Sequence, residues 1–226
     1  MAAVEPKTLD HVAFWVADRE PIVALATSHL GMHVIDRQEN FTLIGSDARR
    51  GKLTLFVAEG PRERGAIKHV ALRVNDVERA RERLPADTGH ELELGDGINV
   101  RLVEAPTDVD YDLDHVALYT EDPERTAQGY AKLGFSPAAP NDGHPRVEVG
   151  GAYVELHQGD PGSPERPLLN HLAVLVDSAD QHTREAEQLG IVESVVDAAN
   201  TRAVFVWGPD RVRVEYVEHK PTFSLQ

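Results

Sequence analysis

A decapeptide recurs four times along this 226-residue chain: LDHVAFWVAD (9–18), IKHVALRVND (67–76), LDHVALYTED (113–122) and LNHLAVLVDS (169–178). Internal repetition limits the fold before any element is assigned, because one supersecondary unit must be built four times and packed against its own copies. Each copy is a short apolar run, rich in β-branched and aromatic residues, that ends in Asp or Ser ahead of a helix-like stretch. Each therefore reads as a strand leading into a helix start. After the third copy, Pro123 suits the first helical turn, Ala127, Tyr130 and Ala131 share a face, and Gly134 is placed to close the helix with a left-handed residue. Gly31 and Gly190 hold the matching places after copies one and four. Short β-type runs separated by Gly and Asp turns follow, as in RVEV, GG, AYVELHQ. The unit is βαβββ, and the expected fold is α+β: four βαβββ modules paired into two domains, each a curled mixed sheet enclosing a cleft. The His spacings of 58, 46 and 56 show that the modules differ in length. The polar, proline-bearing stretch EAPTDVDYD (104–112) is the expected boundary, dividing an N-terminal module pair, 1–107, from a C-terminal pair, 108–226.

Thirty-eight acidic against 23 basic side chains give a net charge of -15, which repels phosphate backbones and anionic lipid surfaces. Nucleic acid and membrane are excluded as partners on this ground, and a small molecule is the expected one; a homodimer is allowed. There is no cysteine, so disulfides, thiolate metal sites and thiol nucleophiles are ruled out, and any metal must be held by His, Asp or Glu. The N-terminal MAAVEPKTLD carries Glu5, Lys7 and Asp10 where a secretory leader needs an apolar run, and the expected location is cytoplasmic. GxSxG, P-loop, dinucleotide-glycine and HExxH patterns are missing.

The third residue of every copy is His. On a strand, alternation puts His115, Ala117 and Tyr119 on one face, and His171, Ala173 and Leu175 repeat that arrangement. A lone strand histidine is more often structural than functional, so the question is whether carboxylates stand at equivalent positions. In the second half they do: the last strands, AYVELHQ and RVRVEYVEH, place Glu155 and Glu215 alike. Two imidazoles and two carboxylates suit a divalent ion such as Fe(II), Mn(II), Ni(II), Co(II) or Zn(II). In the first half, aligning KLTLFVAEGP with AYVELHQGDP sets Leu55 opposite Glu155, and in INVRLVEAP Leu102 or a neighbour stands in the Glu215 place. His11 and His69 thus lack carboxylates, and the first half is expected to be metal-free. His157 shares a face with Glu155 and Tyr153 and is a candidate general base. Arg213 shares a face with Glu215 and could meet an anionic substrate or pair with a carboxylate. Phe205, Trp207 and Tyr119 are candidate walls of an apolar pocket.

With its phased H-V-A strands and two terminal Glu residues, the chain resembles the vicinal oxygen chelate superfamily: glyoxalase I, methylmalonyl-CoA epimerase, fosfomycin and bleomycin resistance proteins, and extradiol dioxygenases. The resemblance covers essentially the whole chain. It implies that the metal ligands are His115, Glu155, His171 and Glu215. Four modules in one polypeptide with a working second half resemble the extradiol branch, whose triad of two His and one Glu would map to His115, His171 and Glu215 on Fe(II) or Mn(II). FVWGPDRVRVEY (205–216) resembles the segment carrying that Glu. It departs from the branch by Phe205 for Tyr, by Gly208 for Asp, and by the absence of a His near Val196, Asp197 and Ala198. Glu155 as fourth ligand or base resembles instead the glyoxalase and epimerase branches, in which a metal polarises a carbonyl and a carboxylate moves a proton. The superfamily's resistance proteins imply a third reading, sequestration of a small molecule. The expected activity is dioxygenase-like chemistry on a small oxygenated aromatic, with proton transfer next and ligand binding third.

Overall fold

The structure, a computed structural model, describes residues 6–47, 51–85, 88–89 and 91–223; Glu5 of the N-terminal segment lies outside them. Module one comprises β1 (Thr8–Val16), α1 (Arg19–His29), β2 (His33–Arg37), β3 (Phe41–Gly45) and β4 (Lys52–Val57). Module two, the shortest, comprises β5 (Ile67–Val74), α2 (Val77–Arg81), β6 (Glu91–Gly95) and β7 (Ile98–Glu104), so it has one strand fewer among the described residues. Module three runs through β8 (Asp112–Thr120), α3 (Pro123–Lys132), β9 (Ser136–Asn141), β10 (His144–Val149) and β11 (Ala152–Gln158). Module four runs through β12 (Leu169–Leu175), α4 (Ala179–Leu189), β13 (Val192–Asp197), β14 (Thr201–Trp207) and β15 (Arg213–His219). Among the described residues no helix is long and apolar enough to cross a membrane.

The tenth residue of each repeat is the helix N-cap. Asp18, Asp76, Asp122 and Ser178 each accept a hydrogen bond from a backbone N–H of the first helical turn, at Glu20, Arg79, Arg125 and Gln181. Each such cap stabilises its helix by about 1 kcal/mol. Gly31, Gly134 and Gly190 all have positive φ just past their helices, as the sequence anticipates.

The strands form two mixed sheets. One has the order β13-β14-β15-β12-β1-β4-β3-β2 and the other β6-β7-β5-β8-β11-β10-β9. Modules one and four therefore make the first sheet, and modules two and three the second. The expectation that consecutive modules pair within 1–107 and within 108–226 is corrected: β1 pairs antiparallel with β12, and β5 with β8. The physical reason lies in the repeat itself. Across β1 and β12, His11 stands opposite Ala173 and Ala13 opposite His171; across β5 and β8, His69 stands opposite Ala117 and Ala71 opposite His115. The H-x-A pattern is self-complementary, because each small Ala leaves room on its face for the imidazole of the facing strand. Any copy fits any other, so local sequence does not decide which two pair.

Residues alternating with the histidines, such as Val12, Phe14, Val70, Leu72, Val116, Leu118, Leu172 and Val174, enter one apolar core shared by both sheets. The sheets are also joined by the turn between β10 and β11. Gly150 has a φ of +56°, and a Cβ there would lie 2.0 Å from the Lys7 carbonyl oxygen. Gly143, with a φ of +80°, has nothing within 4 Å of its Cβ position. Gly150→Ala should therefore destabilise the protein by more than the ~1–2 kcal/mol of left-handed strain that Gly143→Ala alone incurs, and urea unfolding of the two variants measures the difference.

Candidate metal centre

The first sheet brings three donors together. His11 Nε2 and His171 Nε2 are 3.1 Å apart, Glu215 Oε2 is 2.9 Å from His171 Nε2, and it is 3.4 Å from His11 Nε2. The β1–β12 ladder supplies both imidazoles. The parallel β12–β15 pairing sets Glu215 opposite Ala173, on the same face as His171. Ligand atoms about 2.1 Å from one first-row ion lie about 3.0 Å apart when cis, so the donor set and its spacing fit a single divalent ion.

The hydrogen bonds behind the imidazoles strengthen that fit. His11 Nδ1 donates to Asp10 Oδ2 at 2.8 Å, and His171 Nδ1 donates to Asn170 Oδ1 at 3.0 Å. With both Nδ1 atoms carrying the ring proton, two bare Nε2 lone pairs face each other and repel unless a cation lies between them. In the metal-free protein a proton takes that role. Burial disfavours His11 as a cation, but the Asp10 and Glu215 carboxylates push it up to about 9. Burial likewise opposes the charge of Glu215, yet His171 and His11 hold it down to about 2. Burial lowers His171, against the pull of Glu215.

Asp10 is itself anchored. The buried Lys52 ammonium lies 2.9 Å from each of its oxygens, and His219 Nε2 lies 3.2 Å from Oδ1. Burial would raise this carboxyl, but Lys52, His11 and His219 keep it well below the usual carboxylate range. On the other side Arg213 donates to Asn170 Oδ1 at 3.0 Å and pairs with Glu193 at 2.7 Å, so it supports His171 through Asn170. The three donors open into a cleft of about 900 Å³, whose apolar wall includes Trp15, Phe41, Leu43, Phe56 and Phe205.

The four ligands expected from sequence do not form one cluster. His171 and Glu215 come together with His11, whereas His115 and Glu155 belong to the second sheet. The first half, expected to be metal-free, contributes His11 to this candidate cluster because module one pairs with module four. The carboxylate alignment also slips by one residue. Pairing sets Thr54 opposite Ala13 just as Glu155 faces Ala117, so Thr54 holds the equivalent position, and Leu55 points into the core. In module two the position is Arg101, opposite Ala71. Phe205 and Arg213 line the cleft, but Trp207 is 47% exposed and outside its lining.

Tyr119, Tyr153 and His157 lie on the second sheet with His115 and Glu155. There His115 Nδ1 donates to Asp114 at 2.7 Å, which leaves its Nε2 bare, 3.2 Å from His69 Nε2. His69 follows Lys68 rather than Asp or Asn, and its buried Nδ1 has no hydrogen-bond partner. It can carry its proton on Nε2 and donate to His115, so this pair is satisfied without a metal. Burial, helped by His115, Arg101 and Lys68, lowers His69 to about 3 and keeps it neutral. Glu155 is engaged by Arg146, Asn141 and His157. Sequence reasoning missed His11, Asp10, Lys52, Thr54 and His219; the residue preceding each repeat histidine is the signal that separates the two sites.

The family model of the glyoxalase/bleomycin resistance protein/dioxygenase superfamily matches residues 8–110 and 112–216. No match is found among curated proteins. A Bacillus subtilis protein assigned as a dioxygenase superposes with a TM-score of 0.78 at 15% identity, covering 98% of this chain and 88% of that one. Glyoxalase I from Zea mays superposes at 0.73 with 17% identity, covering 93% and 92%. The cppA protein of Streptococcus pneumoniae TIGR4 superposes at 0.60 with 12% identity, covering 96% and 100%. At these identities the likeness establishes the fold alone.

Metal analysis after anaerobic loading should give one equivalent per chain. His11→Ala, His171→Ala and Glu215→Gln should each weaken binding well over tenfold, while His69→Ala and His115→Ala leave it within error. A second expectation concerns acid stability. Burial would raise Glu155, but His115, Asn141 and Arg146 hold it down to about 2. Its contribution is complete above the ordinary carboxylate value of 4.5 and is lost as pH falls from there towards 2. Urea titrations from pH 7 to 2.5 should show Glu155→Gln less stable than the parent at neutrality, with a shallower decline below pH 4.5.

Proposed function

For a chain that belongs to the glyoxalase/bleomycin resistance protein/dioxygenase superfamily, we propose an oxygen-dependent, ring-opening activity on a small dihydroxy-aromatic, with His11, His171 and Glu215 holding Fe(II) or Mn(II). The observation that carries this reading is a triad of two His and one carboxylate at the floor of an aromatic-lined cleft, with Thr54 instead of a second carboxylate at the fourth equivalent position. A facial triad leaves neighbouring coordination positions open, which is the arrangement of non-haem oxygenases. When bound, the ion supplies those positions and one-electron chemistry. Both oxygen atoms of O₂ enter the opened ring, so no external reductant is required.

The remaining work belongs to the chain. Phe41, Phe56 and Phe205 offer faces and edges against which an aromatic ring packs, and they displace water from the reacting face. Asp10 and Asn170 hold the two imidazoles in the tautomer that presents Nε2. His219 lines the cleft with Nε2 turned to Asp10, leaving Nδ1 to accept a proton from a substrate hydroxyl. Proton-transfer chemistry of the epimerase kind needs a carboxylate base beside the ion. In this cleft Thr54 stands where Glu155 stands in the second sheet, so that reading keeps only Glu215 of its two candidate bases. Pure sequestration gives no role to two His and one carboxylate gathered at ligand spacing.

The test is a panel of substituted catechols with matched oxygen-electrode and absorbance records. Fe(II)- or Mn(II)-loaded protein should consume catechol and O₂ one for one, Zn(II)-loaded protein should be inert, and His219→Asn should lower kcat by about 10²-fold while metal content is retained. Oxygen-independent turnover of a hemithioacetal or 2-oxo thioester by Zn(II)- or Ni(II)-loaded protein would overturn the proposal.

A further inference from the structure

The second sheet repeats the geometry of the first with different chemistry. Strand register equates Thr54 with Glu155, Leu43 with Arg146, Phe56 with His157, Trp15 with Tyr119 and Phe205 with Glu91. The aromatic pair Phe41–Phe56, 5.6 Å between centroids, corresponds to His144–His157 at 3.8 Å. An apolar lining in one sheet is therefore matched by a charged and imidazole lining in the other.

The charges of that lining do not cancel. Arg146 is matched by Glu155, and Arg101 by Glu91 at 2.6 Å. Two cations are left over. Lys68 Nζ donates to His157 Nδ1 at 3.0 Å, and Arg64 donates to the carbonyl oxygens of Ile67 and Lys68. Both lie over the Tyr119 ring, at 5.8 and 5.3 Å from its centroid. Among the described residues neither forms an ion pair with a carboxylate, in a chain whose net charge is -15. Half-burial disfavours the Lys68 ammonium, and Arg101 and Arg64 add repulsion that Glu155 and Glu91 only partly offset. At least one Lys68 N–H and part of the Arg64 guanidinium remain available to an acceptor.

We propose that modules two and three carry a second, metal-free ligand site for a small oxyanion, a carboxylate or phosphate group received by Lys68 Nζ and the Arg64 guanidinium beside Tyr119. The site excludes a divalent ion by its own chemistry. Arg101 stands where a ligand carboxylate would be, Arg146 already occupies Glu155, and His69 and His115 satisfy each other. An oxyanion relieves the unbalanced charge and accepts charge-assisted hydrogen bonds from both cations. Free inorganic phosphate, a phosphate ester and an organic acid share this chemistry.

The experiment titrates inorganic phosphate and malonate into the full chain by calorimetry, at ionic strength held constant with chloride, and follows His144 and His157 ring resonances by NMR. Saturable one-to-one binding is expected, with the His144 and His157 signals moving. Lys68→Gln and Arg64→Gln should each weaken it at least tenfold, and His11→Ala should leave it unchanged. Arg64 is exposed, so its variant keeps the test decisive if Lys68→Gln melts early. Heat no larger than the chloride control, saturation that survives both variants, or a second equivalent of metal lost only in His115→Ala would overturn the proposal. Preference for one of the two anions identifies the headgroup.

Discussion

The antiparallel ladder between β1 and β12 is the contact on which the rest of the molecule depends. It joins the first module to the last, completes an eight-stranded sheet and sets His11 across from His171 with Glu215 beside them. The ladder's register is accommodated by size rather than charge, since each imidazole lies opposite an alanine. What gives the ladder chemical meaning is one residue further back. Asp10 and Asn170 fix both rings with Nε2 facing inward, an arrangement ready for one cation, whether the His11 proton or a metal ion.

Duplication has produced two sites of the same geometry and opposite polarity. In one, Asn170 precedes the histidine of its module, Thr54 replaces the fourth ligand and phenylalanines line the wall. In the other, Lys68 precedes the histidine, Arg101 replaces the ligand and imidazoles line the wall. A single change of the preceding residue favours the proton on the other ring nitrogen, which turns a pair of candidate metal ligands into an ordinary hydrogen bond. The superfamily assignment therefore fixes the scaffold, and the chemistry must be read sheet by sheet.

The repeat, the strand–helix order, the helix caps and the closing glycines were legible because each depends on neighbours within a few positions. His171 and Glu215 were legible as donors for the same reason. The identity of the third donor was not, because His11, His69 and His115 sit in strands with the same H-V-A pattern, and partner choice is made by packing of whole modules. The slip from Thr54 to Leu55 shows how a period of two punishes a small error: one residue of misalignment exchanges a cleft position for a core position. Lys52 and His219 were invisible for another reason, since they reach Asp10 from β4 and β15 across the sheet.

The crossed pairing also sets an order of assembly. The second sheet is built from residues 67–158, one contiguous stretch, whereas the first needs β1 at one extreme of the described chain and β12–β15 at the other. At a synthesis rate of roughly 5–20 residues per second, β1 waits on the order of ten to thirty seconds for β12. Its open edge meanwhile carries the same self-complementary pattern as β5 and β8, so these earlier strands compete for it. An early β1–β5 pairing would be well formed locally and wrong globally, with His11 facing His69 and without the Glu215 that β12 brings. The repeat that makes the scaffold easy to encode thus also encodes competing pairings, and the donor triad requires that β1 meet β12 rather than a nearer copy.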